Sequence, residues 1–167
     1  MKTKFLKQLL LGAAGLMSLV AGQAFAQSAT ATVNVSATIN GVCRFYSGPI
    51  NITVEHSGGV IDPTSGANAT GSGTLDYRCV SGVNPQFDID ASGTFASPKS
   101  ASVTLTDGTN NLTSSMTVTA TGGAGTGMGA GQNKTATVGV TITPANFAAA
   151  PASTYTKAVT VAIQAAP

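Results

Sequence analysis

The feature that most constrains this chain is a strict period of two. In "ATATVNVSATI" the odd positions are apolar (Ala29, Ala31, Val33, Val35, Ala37, Ile39) and the even ones polar (Thr30, Thr32, Asn34, Ser36, Thr38). Successive side chains of a strand point to opposite faces, so the run buries one face and wets the other. A slip of one residue would turn Thr and Asn toward the core, which makes its register well specified. At strand rise its eleven residues reach roughly 36 Å, the length of a small β-domain.

Shorter runs of the same kind fill the rest of the chain. Expected strands are "VCRFY" (42–46), "PINITVEH" (49–56, with Ile50, Ile52 and Val54 alternating), "TLDYRCV" (74–80) and "PQFDIDA" (85–91). "ASVTLTDGTNNLTSSMTVTAT" reads as two strands around a "DGTNN" turn, and "ATVGVTIT" (136–143) and "YTKAVTVAI" (155–163) complete the set. "SGGVIDPTSGANATGSG" (57–73) reads as a loop and "GGAGTGMGAGQN" (122–133) as a flexible connection, from their Gly, Pro, Asn and Ser content. No window beyond the N-terminus carries a helical period. Many short antiparallel strands between turn signals predict an all-β, two-layer sandwich, with a jelly roll or small barrel as the competing architecture.

The first 26 residues stand apart. Lys2, Lys4 and Lys7 precede an apolar stretch from Leu9 to Ala21, then Ala24-Phe25-Ala26, an A-x-A cleavage pattern. This predicts a secretory signal peptide over 1–26, the apolar part being shorter than the roughly 20 residues that cross a bilayer. Its removal would leave five basic residues (Arg44, Arg78, Lys99, Lys134, Lys157) against six acidic ones (Glu55, Asp62, Asp76, Asp88, Asp90, Asp107), a net charge of −1. No basic patch interleaved with aromatics is present, which argues against nucleic acid as a partner.

An exported chain with two cysteines, Cys43 and Cys79, is expected to join them. Closing a loop of 36 positions restricts the unfolded chain enough to stabilise the fold by about 4 kcal/mol. Redox or metal roles would need a C-x-x-C motif or a patterned ligand beside His56, and neither is there.

Motifs for catalysis are lacking. There is no G-x-S-x-G elbow, and nothing near His56 favours a triad over a surface histidine. Asp88 and Asp90 flank Ile89 in "DID", which on a strand predicts a solvated face opposite a buried Ile rather than a calcium or acid–base pair. "GAGTGMGAG" lacks the Lys-Ser/Thr of a phosphate loop. Sequons at Asn34 and Asn51 are expected by chance in so Asn- and Thr-rich a chain. No enzyme, cofactor or metal is expected.

A second layer of information lies in the order of features: an alternating strand behind the signal, a cysteine in "INGVC", another ending the strand "LDYRC", a Thr/Gly-rich body, and a last strand introduced by Pro151 and Tyr155 with Val159 and Val161 following. This arrangement resembles the bacterial chaperone–usher pilins, most closely the archaic class with a spore-coat-protein-U-like domain. The resemblance implies an incomplete immunoglobulin-like sandwich lacking its last strand over 40–167, with 27–39 as an N-terminal donor strand. Ala29, Ala31, Val33, Val35, Ala37 and Ile39 would fill a neighbouring subunit's groove, and Val159, Val161 and Ile163 would line the subunit's own. It implies a structural fimbrial subunit, exported through the periplasm to the cell surface for adhesion and biofilm formation. A periplasmic chaperone, an outer-membrane usher and identical or related pilins would be its partners. The alternative from a different class is a self-complete secreted β-sandwich that binds a carbohydrate or serves as an adhesin. Residues 29–39 would then pair within their own domain.

Overall fold

A computed structural model of the chain describes residues 32–167; the expected signal peptide, Ala29 and Ala31 lie outside these residues. Residues 38–167 form one compact unit. Its strands are β1 (Cys43–Phe45), β2 (Ala69–Cys79), β3 (Pro85–Ile89), β4 (Lys99–Thr106), β5 (Asn111–Ala120), β6 (Lys134–Ile142) and β7 (Val161–Ala165), with a one-turn helix α1 (Pro144–Phe147) before β7. The all-β expectation holds. Every pairing is antiparallel, in a five-stranded sheet of order β1-β2-β6-β5-β4 and a two-stranded sheet of β3 and β7.

The core follows from the alternation. Leu75, Tyr77 and Cys79 on β2, Val103 on β4, Met116 and Val118 on β5, and Ala136 and Val138 on β6 are buried on one face of the large sheet. Phe87 and Ile89 of β3 are buried in the same cluster, with Val161 and Ile163 of β7 packed against it. The two sheets therefore share one core. Phe87 holds the contact, meeting the Tyr77 ring edge-on and stacking with Phe45, both at 6.2 Å between centroids. Such aromatic pairs add about 1 kcal/mol each beyond the area they bury. The opposite face of the large sheet is the polar half of the same pattern, with Ser100, Ser102, Thr104, Thr113, Ser115 and Thr135 exposed.

Cys43 and Cys79 form the expected disulfide. They are direct cross-strand partners with Cα atoms 4.1 Å apart. The neighbouring Val80 N–H donates to the Val42 carbonyl at 3.0 Å, so the cysteines occupy the non-hydrogen-bonded position, where opposed side chains lie closest.

Four expectations about strands and loops need correction. Residues 49–56 join no ladder; only Glu55 bridges Thr70, because 49–54 leaves the sheet to pass over β2. β2 begins at Ala69, inside the expected loop, its Gly-Ser-Gly run serving as strand rather than turn for a reason given below. β7 begins at Val161, the residues before it forming α1 and a strap that touches the sheet through the Thr106–Thr156 bridge. The glycine-rich connection is tied down. The Gly127 N–H donates to the Cys79 carbonyl at 3.0 Å and the Gly125 N–H to the Val83 carbonyl at 2.8 Å. Gly125 is also buried so close to Cys79 that a Cβ would lie 2.5 Å from the cysteine Cβ.

The "DID" expectation fails for Asp88, which is 3% exposed rather than solvated. Its carboxylate accepts from the Ile89 N–H at 2.8 Å, the Gly93 N–H at 2.9 Å and the Ser92 hydroxyl, with Lys99 Nζ at 3.9 Å. These partners, the Ser92 hydroxyl foremost, hold its carboxyl below the usual carboxylate range. Asp90 binds the residue just before β7: its Oδ1 accepts from the Thr160 N–H at 3.1 Å and its N–H donates to the Thr160 carbonyl at 2.8 Å. Both carboxylates are thus occupied in fixing the turn after β3, which passes through Asp90 and Ala91 at φ 53°.

Candidate functional site

The inner face of the large sheet is longer than its cover. β3 and β7 lie over the part that carries Tyr77, Cys79 and Val118. Beyond them opens a cleft of about 1090 Å³ with an apolar floor: Val103 and Leu105 from β4, Met116 and Leu112 from β5, Val138 and Val140 from β6. Ser114 is the polar residue of this floor, and its hydroxyl donates to the Val103 carbonyl at 2.9 Å, so no unsatisfied group interrupts the apolar surface.

One boundary of the cleft is the segment 47–54, and glycines decide its course. Gly71 and Gly73 share the inward face of β2 with Leu75. A Cβ at Gly71 would overlap the Thr53 carbonyl oxygen and stand 2.9 Å from Ile52 Cγ2, and one at Gly73 would stand 3.0 Å from Ile50 Cδ1. Two missing side chains thus make a notch through which the main chain crosses β2, carrying Ile50 and Ile52 onto the core. The expected alternation of Ile50, Ile52 and Val54 is a packing pattern of a strap, not of a laddered strand.

The other boundary is the strap 150–157 with Val159 and Val161. Thr106 and Thr156 exchange hydrogen bonds of 3.0 and 2.9 Å, clipping the strap to the β4–β5 hairpin. Asp107 stabilises that hairpin: the Asn110 N–H foremost, then the Asn110 side chain and the Thr109 N–H, hold its carboxyl far below the usual range. Tyr155 is pushed up by desolvation and by the Asp107 charge, while its hydroxyl donates to the Pro151 carbonyl at 3.0 Å. At the cleft's far end the His56 ring stands edge-on to Phe147 at 5.3 Å. Both nitrogens of His56 are engaged: Nδ1 accepts from the Asp62 N–H at 3.0 Å and Nε2 lies 2.9 Å from the Ala67 carbonyl, which makes Nε2–H the donor and closes the 56–67 loop.

β7 borders the cleft with an edge that no strand pairs among the described residues. Thr160 bonds to Asp90, and the Ala166 N–H donates to the Asn84 carbonyl at 2.8 Å, so even-numbered residues address β3. Val159, Val161 and Ile163 direct their main-chain groups to the opposite edge, and among the described residues no strand pairs there.

The structure places the expected site residues as follows. Val159 and Val161 line the cleft, whereas Ile163 pairs with Phe87 and packs in the covered core. Val33, Val35 and Ile39 are 79%, 87% and 80% exposed, Ala37 is exposed, and residues 32–42 have no regular secondary structure. The floor from β4, β5 and β6 and the Gly71–Gly73 notch did not emerge from the sequence. The alternation Val103, Leu105 and the Gly-x-Gly inside a strand were the signals for them. No family model, no curated protein and no solved structure matches this chain.

Proposed function

We propose that the cleft is a strand-acceptor groove and the protein a structural fimbrial (pilus) subunit that polymerises by donor-strand exchange. The domain is then an immunoglobulin-like sandwich short of one strand, and residues 27–39 of one copy supply that strand to the next. The observation that carries this reading is the apolar cleft beside the unpaired edge of β7. An added strand gains main-chain hydrogen bonds from the edge, and its alternate side chains enter the floor. The alternating segment fits this need: its apolar set is exposed at Val33, Val35 and Ile39, and its roughly 36 Å length suits a domain of this size. An open edge over an apolar floor invites aggregation before it is filled. The reading therefore includes a periplasmic chaperone that covers the groove during export, an outer-membrane usher that exchanges it for a neighbouring subunit, and a surface fibre serving adhesion and biofilm formation. The oxidised cysteine pair accords with such a route.

The test uses the chain from residue 27 and a labelled peptide of residues 29–39. Fibres in electron micrographs, and their suppression by excess peptide, are expected. Val35→Asp should abolish assembly, since an unpaired charge entering an apolar pocket costs several kcal/mol. The subunit's own melting temperature should be unchanged, Val35 being exposed. A monomer that neither assembles nor takes the peptide would sink the proposal and leave the self-complete binding module.

A further inference from the structure

The donor segment is joined to its own domain through only Asn40, Gly41 and Val42, and Asn-Gly between alternating runs is the strongest short hairpin signal known. The obvious fate of residues 29–39 is therefore to fold back beside β1 and fill their own cleft. We infer that the loop from Asn40 to Val42 is built out of register for that closure, so that the groove stays open for the segment of a second copy. This rests on the strand-acceptor reading above.

The register follows from β1. Cys43 and Phe45 face the core. The even residues bond to β2, the Val42 carbonyl to the Val80 N–H at 3.0 Å and the Tyr46 N–H to the Asp76 carbonyl at 2.9 Å. The main-chain groups of Cys43 and Phe45 thus address the other edge of β1, the outer edge of the sheet and the one a returning strand would join. For apolar side chains to face inward there, an odd-numbered residue must stand opposite Cys43, and the shortest connection that does so sets Ile39 opposite Cys43 and Ala37 opposite Phe45.

A two-residue turn at Asn40–Gly41 does otherwise. It sets Ile39 opposite Val42, Thr38 opposite Cys43 and Ser36 opposite Phe45, which turns the polar face inward. It also calls on the Val42 carbonyl, already bonded to Val80. A three-residue loop would correct both faults, but its last position takes φ > 0, and Val42 is β-branched. The observed backbone uses neither turn. Asn40, Gly41 and Val42 all lack a positive φ, and Gly41 lies against the other end of the fold, where a Cβ would stand 3.3 Å from Ala165 and 3.4 Å from Val83.

Removing one residue removes the obstacle. Deleting Val42 sets the Asn-Gly turn directly between Ile39 and Cys43, with faces and edges both correct, and Val42→Gly frees the three-residue loop without changing chain length. The experiment compares the oxidised chain from residue 27 with both variants, by light scattering for assembly and by uptake of the labelled 29–39 peptide. The natural sequence is expected to assemble and take the peptide. The deletion should be monomeric and take at least tenfold less, and Val42→Gly should reduce uptake in the same direction. Equal uptake by all three chains overturns the register inference and leaves the strand-acceptor reading standing. A natural chain that stays monomeric and refuses peptide overturns that reading and this inference with it. Should the deletion fail to fold, Val42→Gly decides: uptake equal to the natural chain overturns the inference.

Discussion

The two ends of the large sheet's inner face are built from one pattern and meet different fates. Both present alternating Val, Leu, Ile and Met. At one end β3 and β7 close over Tyr77 and Val118, with a disulfide, two aromatic contacts and the Asp88 turn fixing the cover. At the other, Val140 and Leu105 look into a cleft bordered by two straps. The difference lies not in the apolar floor but in what lies over it among the described residues, two paired strands at one end and two straps bordering a cleft at the other.

That contrast can be broken first at the covered end. Phe87→Ala should destabilise by about 3–5 kcal/mol in chemical denaturation, because a fully buried aromatic touching both sheets leaves a cavity. Replacing both cysteines by serine should cost about 4 kcal/mol from the freed 36-residue loop, read as a lower denaturation midpoint with little change in fold. The matched pair Val118→Ala and Val140→Ala sharpens the comparison. The first, at a completely buried position, should cost about 1–2 kcal/mol, the second less than about 1 kcal/mol, and excess 29–39 peptide should bring the second toward the first by covering the cleft. If peptide leaves the gap unchanged, the cleft is not where the segment binds.

Acid supplies the smallest contrast. Asp88 at the covered end and Asp107 at the open end both have carboxyls lowered in the folded state. The folded protein then binds fewer protons than the unfolded chain, so their contribution is present above the ordinary carboxylate pKa of about 3.9 and is lost as pH falls below it toward the folded values. Melting temperature should be flat from pH 7 to about 5 and decline below about 4. Asp88→Asn and Asp107→Asn should each flatten that decline.

Much of the fold was legible locally. The hairpin around "DGTNN" was readable because Asp107 and Gly108 have turn chemistry between two alternating runs, and the pairing of Cys43 with Cys79 because only two cysteines were present. Asp88 misled because strand alternation predicts the face of a side chain but not what folds over it; the turn through Asp90 and Ala91 brings Ser92 and Gly93 back onto its carboxylate. Ile50, Ile52 and Val54 misled for a related reason. Period two says that alternate residues are buried, and a strap lying over a glycine notch obeys that as well as a strand does.

By itself the sequence determined an all-β domain, the pairing of its two cysteines and an N-terminal segment that alternates apolar and polar residues, all set by side-chain period, turn residues and cysteine count. Only the tertiary structure decided that the inner face is half covered. That depended on the 49–54 strap crossing β2 at Gly71 and Gly73, and on β7 starting as late as Val161 to pair with β3 more than 70 residues earlier. Contacts so distant along the chain arise from packing in three dimensions, which no local periodicity encodes.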